Sequence, residues 1–279
     1  MYNNHLYNQK LYNTNVEGVA LATEGDLILN NLSLQSENII TQNVQYDSAP
    51  QRDFRTQAVP RNDGEIIIGD YWRRKVIKLS GILKYDTNEL LECAIDNFKK
   101  TVTARESLLK VAISCTPRQF TVTAINTDKM FNQRKGYHIT VCPFELDLLC
   151  LTPFSLSPDY VSQTISDKSV VNLSEQFFNN GTAPSSPVVV FVFTEATNVS
   201  SVKFTNNTTS ESIELNTSVE TGDYLRFDGE NKEVTLNGDQ VDYNGSFPVL
   251  QPGSNFYTIN INGDSVIYTM TIKHKIPYL

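Results

Sequence analysis

Residues 222–255, GDYLRFDGENKEVTLNGDQVDYNGSFPVLQPGSN, constrain the fold more than any other stretch of the chain. Turn signals fall at Asp228-Gly229, Asn237-Gly238, Asn244-Gly245 and Pro252-Gly253, with short alternating runs between them. In the first run Leu225 and Phe227 share one face while Tyr224 and Arg226 share the other. In the next, Val234 and Leu236 lie together, and Asn237-Gly238 supplies the two positive-φ residues of a type I′ hairpin. The pattern predicts a β-meander with one apolar and one wet face.

At 279 residues the chain is long enough for two domains with separate cores. Its apolar fraction of 40% belongs to an ordinary globular protein, and 13 Tyr and 14 Phe among abundant Asn, Ser and Thr suit strands joined by tight turns. The opening MYNNHLYNQKLYN has no cationic-then-apolar pattern, so no signal peptide is expected. The longest apolar run, residues 187–193, falls well short of the roughly 20 residues that span a bilayer. Charge divides the chain. Residues 1–158 carry 17 basic and 17 acidic side chains, whereas 159–279 carry 6 and 14 and so hold the whole net charge of -8. That places a domain boundary near residue 158 and argues against nucleic acid or anionic lipid as partners of the second half.

The chemistry-bearing residues are sparse. Cys93, Cys115, Cys142 and Cys150 show no CxxC spacing, and the three His (His5, His138, His274) are scattered, so neither a metal site nor a cofactor is expected and the cysteines read as buried free thiols. Cys142 and Cys150 would share a face of an uninterrupted strand, which Pro143 argues against. No GxSxG, GxxxxGK, GxGxxG or HExxH motif is present. The acidic cluster of Asp223, Asp228, Asp239 and Asp242 reads as exposed turn residues rather than a glycosidase pair. The chain is therefore read as a non-enzyme with no catalytic residues.

In the first half, strands are predicted at 26–29, 39–44, 65–68, 75–79, 109–114, 119–126 and 137–149, the last bent at Pro143. A polar segment at 46–64 reads as a mobile arm that a partner would order. The segment 69–74 is expected to connect two strands. One helix follows, capped by Asp86 with Glu89 in a capping box, with Leu90, Leu91, Ala94, Ile95, Phe98 and Val102 as its apolar stripe. In the second half, short strands at 170–178, 188–193, 201–205, 213–216, 224–227, 233–236, 256–261 and 266–273 argue for a sandwich or jelly roll. The fold class is mainly β with one principal helix: an N-terminal α+β antiparallel sheet or β-sandwich domain (1–158), then a C-terminal β-sandwich of jelly-roll type (159–279).

The order "Gly-Asp, strand, Val-Thr-Leu-Asn-Gly, Gly-x-Phe-Pro-x-Leu, Pro-Gly-x-Asn" in 222–255 resembles the C-terminal domain of siphophage distal tail proteins. Asn179-Asn180-Gly181-Thr-Ala-Pro184 resembles that domain's entry. More loosely, Arg61 to Gly64, Leu79-Ser-Gly81-Ile-Leu and Cys142 to Cys150 resemble the family's first domain. The resemblance implies a galectin-like second domain and a structural virion protein of the tail tip, made in the host cytoplasm. It also implies a homo-hexameric ring joining the tail tube protein to tail-tip, baseplate and receptor-binding proteins, with DNA passing through its channel without specific binding and no membrane contact. Some family members return their last strand to the first domain.

Trp and Arg are the side chains that most often anchor protein contacts, so Tyr71, Trp72, Arg73 and Arg74 form the leading oligomer-interface candidate, with Arg52, Arg55 and Arg61 from the polar arm. The alternative function is a carbohydrate-binding adhesion module of a phage receptor-binding apparatus, for which Tyr243, Tyr257 and Tyr268 are the candidate glycan contacts.

Overall fold

The computed structural model describes residues 26–46, 49–58, 63–112, 116–131, 140–169 and 171–279. The chain divides into two compact units, residues 1–158 together with Leu279, and residues 159–278.

In the first unit, an antiparallel sheet runs in the order β3 (Ile39–Gln45), β6 (Val76–Lys84), β9 (Val141–Cys150), β8 (Arg118–Ile125), β7 (Ser107–Val111), β1 (Leu27–Leu29) and β2 (Leu32–Ser33). Its helix, α1 (Asn88–Val102), lays Leu91, Ile95, Phe98 and Val102 on the sheet, where Phe98 meets Phe144 at 5.0 Å between ring centroids. The N-cap is Thr87, one residue later than expected, and its Oγ1 accepts from the Leu90 amide at 3.3 Å. Leu90 therefore sits in the exposed first turn and leaves the apolar stripe. Gly81 is needed for close packing, since a Cβ there would lie 2.3 Å from the Ile40 carbonyl oxygen and 2.8 Å from the Phe144 ring.

Strand β9 is not interrupted at Pro143, contrary to the sequence expectation. Pro143 pairs with Ile82 on one side, while β8 joins the other side only from Asp147 onward, so the missing N–H falls where that flank has no ladder to serve. The even spacing then applies, and Cys142 and Cys150 are both buried free thiols. Cys93 is exposed on α1, and Cys115 lies outside the described residues.

Apart from this sheet, β4 (Arg52–Ala58) and β5 (Glu65–Trp72) form a ribbon of two strands. The polar segment read as a mobile arm thus contains a strand. The residues expected to connect two strands, Gly69 to Trp72, are the second half of β5.

The second unit contains two sheets. One runs β17 (Asp239–Gln240), β16 (Glu233–Leu236), β15 (Tyr224–Asp228), β12 (Val188–Thr197), β20 (Ser265–Tyr278) and β10 (Ser155–Lys168), the last entering from residue 155. The other runs β11 (Asn172–Asn179), β19 (Gly253–Asn262), β13 (Ser201–Asn206), β14 (Glu211–Leu215) and β18 (Asn244–Gly245). Phe191, Phe193, Phe204, Phe227, Tyr257 and Tyr268 dominate the core of this unit. The strand β10 had no counterpart in the sequence reading. Its alternation is poor, and Ser155 and Ile165 are its only buried residues.

The turn-rich stretch at 222–255 is only partly a meander. Strands β15, β16 and β17 are antiparallel neighbours, with Leu225 and Phe227 buried and Tyr224 exposed as the alternation required. Asn237 and Gly238 have φ of 55° and 94°, as a type I′ turn demands. The chain then leaves that sheet: Asn244-Gly245 is not a turn but a short strand paired with Ile213 and Glu214 of the other sheet. Asp228-Gly229 also works differently. The positive φ in that loop belongs to Lys232, at 60°, whereas Gly229 donates its amide to the Pro187 carbonyl at 3.0 Å. A Cβ on Gly229 would stand 2.4 Å from that same oxygen.

Candidate functional site

An isolated two-stranded hairpin is at best marginally stable in water, and both of its edges offer free backbone hydrogen-bonding groups. The β4–β5 ribbon is such a hairpin. Its register runs from Arg52 opposite Trp72 to Ala58 opposite Glu65, with a bulge between Arg55 and Thr56, and the Arg73 amide closes its base on the Gln51 carbonyl at 2.7 Å. On this ribbon Phe54, Ile66, Ile67 and Ile68 are exposed by 48, 53, 62 and 59%. The three consecutive isoleucines lie in the strand that the sequence predicts at 65–68. Among the described residues no apolar layer covers them, and their partner strand, RDFRTQA, has one large apolar residue. The polarity of 52–58, on which the expectation of a mobile arm rests, is the sequence signal for this exposure.

The base of the ribbon is held by side chains. Arg52 Nε donates to Asp70 Oδ1 at 2.7 Å and its second nitrogen to Asp70 Oδ2, a bidentate pair. The Arg52 guanidinium also lies 5.2 Å from the ring centroids of both Phe54 and Trp72. On the other face, Asp53 Oδ2 accepts from the Tyr71 hydroxyl at 2.6 Å and from Arg73 at 3.0 and 2.7 Å. Arg55 stacks over Tyr71 at 5.9 Å. These donors lower both carboxyls below the usual range: Tyr71 and then Arg73 act on Asp53, and Arg52 acts on Asp70. Trp72 meets Phe154 edge-on at 6.1 Å, which ties the ribbon's base to the segment after β9.

Five of the predicted interface residues, Arg52, Arg55, Tyr71, Trp72 and Arg73, therefore come together in one cluster. Arg74 is exposed just beyond the ribbon, and Arg61 lies outside the described residues. Asp53 and Asp70 neutralise Arg73 and Arg52 locally, so the cluster is not a bare cationic strip of the kind that tracks phosphates.

The tyrosines proposed for sugar contact separate. Tyr257 and Tyr268 are 2 and 0% exposed and belong to the core, with Tyr257 stacked on Phe204 at 4.7 Å, so neither can present a ring to a sugar. They fall on the inward phase of β19 and β20, which alternation in the sequence could have shown. Tyr243 remains partly exposed, edge-on to Phe247 at 5.1 Å.

The recognition motifs prove to be structural clamps. Buried Asn255 closes the Pro-Gly-x-Asn loop by accepting from the Gln251 amide at 2.9 Å and donating to the Gln251 and Gly253 carbonyls at 2.8 and 3.1 Å. Buried Asp228 accepts from the amides of Glu230 and Asn231 at 2.9 and 3.0 Å. Asn179 accepts from the Gly181 amide at 2.9 Å, and Gly181 passes so close to Pro277 that a Cβ would fall 2.2 Å from its carbonyl oxygen.

The model of the siphovirus-type tail component, C-terminal domain, matches residues 180–276. The family match is therefore to this stretch of the second unit. The fold of the described residues is mainly antiparallel β with one principal helix. Dit (gp 19.1) of phage SPP1, described as a paradigm of the hub adsorption apparatus in phages infecting Gram-positive hosts, has a similar crystal structure. The TM-score is 0.66 at 13% identity, covering 90% of this chain and 98% of that one, a likeness of fold. Two structures of the phage p2 baseplate in its activated conformation, with Sr and with Ca, give TM-scores of 0.45 and 0.41 at 8% identity over 90% of both chains, too low to add to the assignment. No curated protein sequence matches the chain significantly.

Proposed function

We propose that this chain is a phage distal tail protein, a hub subunit that closes into a homo-hexameric ring at the tail tip, between the tail tube protein and the baseplate or receptor-binding proteins. The first unit builds the ring, and the second, acidic unit serves for docking. The observation that carries this reading is the β4–β5 ribbon. It holds exposed Phe54 and Ile66 to Ile68 on a strand pair that has no third strand among the described residues. A neighbouring copy supplies both what the apolar side chains and what the strand edges lack, and a heterologous contact repeated around an axis closes a ring. Apolar and aromatic anchors flanked by paired charges match the anatomy of protein interfaces. The charge pairing of the cluster agrees with a conduit that lets DNA pass without holding it.

Negative-stain imaging of the purified protein tests the reading. Rings with a central hole and six-fold averages support it. Fields of single compact particles at concentrations where a tail assembles would reject it.

A further inference from the structure

In the sheet of β11, β19 and β13, alternate side chains leave the core. Phe177, Tyr257, Ile259 and Phe204 point inward, whereas Gln176, Phe178 and Phe256 point outward. Gln176 pairs with Phe256 and Phe178 pairs with Ser254. The two phenylalanines are therefore diagonal neighbours on one face, which sets their backbones about 7–8 Å apart. Each is 54% exposed, although both strands bury a large apolar residue at the adjoining position.

What surrounds the rings is neutral and hydrogen-bonding. Gln176 Nε2 donates to Ser254 Oγ, and Asn207 Nδ2 donates to Thr258 Oγ1 at 2.7 Å. The Asn207 backbone amide donates to the Phe256 carbonyl at 2.8 Å, which fixes Asn207 on the opposite flank of Phe256 from Gln176. The amides are thus held in place before any ligand arrives, which lowers the ordering cost of binding. None of these six side chains carries a charge. A nucleic acid or an anionic lipid would require cations here. A protein partner would favour a broader apolar centre. A ligand with an apolar C–H face and a rim of uncharged hydroxyls matches the surface on both counts.

We propose that this face binds a neutral oligosaccharide, with a pyranose ring stacked on Phe256 and its hydroxyls bonded to Gln176 and Asn207. Phe178 extends the platform to a second sugar unit. The assignment goes beyond the hub role and is independent of it, since a ring that binds no sugar remains a ring.

Saturation-transfer NMR with maltotriose, lactose and chitotriose at millimolar concentration tests the proposal. At least one should receive saturation at its ring C–H protons, and Phe256→Ala and Gln176→Ala should each weaken that binding about tenfold or more, the scale of one lost stacking or hydrogen-bonding contact to a ligand. Phe256→Trp should retain or tighten it. Asn207→Asp changes charge without truncation and covers the case in which Phe256→Ala fails to fold. No transfer to any of the three sugars, or transfer unchanged by these substitutions, overturns the proposal.

Discussion

The side-chain amide of Asn179 donates to the carbonyl of Leu250 at 3.2 Å, joining the end of β11 to the loop that precedes β19. The same nitrogen reaches the Ala183 carbonyl at 2.9 Å, and its Oδ1 takes the Gly181 amide, all in a site only 1% exposed. Asn179→Ala removes three bonds from buried or half-buried groups. It should lower unfolding stability by about 1–3 kcal/mol, the cost of leaving buried polar groups unpaired. Urea denaturation of the two proteins checks this, and an unchanged midpoint would show that the amide is dispensable.

Gly229 and Gly238 are both turn glycines, yet they should respond differently to alanine. A Cβ at Gly229 would collide with the Pro187 carbonyl oxygen, whereas nothing lies within 4 Å of one at Gly238. Gly238 has only its φ of 94° against it. Gly229→Ala should therefore cost about 1–3 kcal/mol as an overpacking change against rigid backbone, with the smaller loss at Gly238. Calorimetric melting of both variants decides the order.

His274 sets a pH dependence. Its ring is fully buried, with Nδ1 3.1 Å from both Ser185 Oγ and the Lys275 carbonyl and with the Phe177 ring at 5.6 Å. Burial, more than the opposing backbone bonds, lowers its pKa below the ordinary 6.5. The unfolded chain then binds a proton that the folded chain refuses, so stability falls as pH drops from about 6.5 toward the depressed value and levels off below it. Denaturant midpoints taken at steps from neutral to mildly acidic pH should show this loss, and His274→Gln should flatten it.

At the ribbon, Arg52 joins an exposed ion pair and two aromatic faces. Exposed pairs contribute little to folding. Arg52→Ala should leave the melting temperature within error of the parent while weakening self-association. A large drop in melting temperature would assign Arg52 to the fold instead of the interface.

The strands that alternate cleanly were legible from sequence, because a face buried in a sandwich writes itself as period two. Leu225, Phe227 and Val234 are examples. The type I′ turn was legible too, since Asn237-Gly238 is one of few dipeptides able to hold two positive φ angles. Two things were not. Strand β10 buries Ser155 and Ile165 and owes its form to its neighbours, so local pattern could not reveal it. Ile66 to Ile68 look like core in any window, and only their exposure, a tertiary fact, marks them as surface. Cysteine phase misled for a related reason: Pro143 is harmless because of which flank of β9 lacks a neighbour. At the candidate site, Trp72 and its arginines were found by residue type, whereas Asp53 and Asp70, which organise them, needed the hairpin register.

Sedimentation velocity of the wild-type chain beside Ile67→Asp tests the assembly account most directly. Ile67 is the most exposed of the three isoleucines and belongs to neither core cluster of the described residues, so the charge should not disturb the fold. A single hexameric species is expected for wild type and a monomer of unchanged melting temperature for the variant. A wild type that stays monomeric, or an Ile67→Asp protein that sediments with the wild-type hexamer, would contradict it.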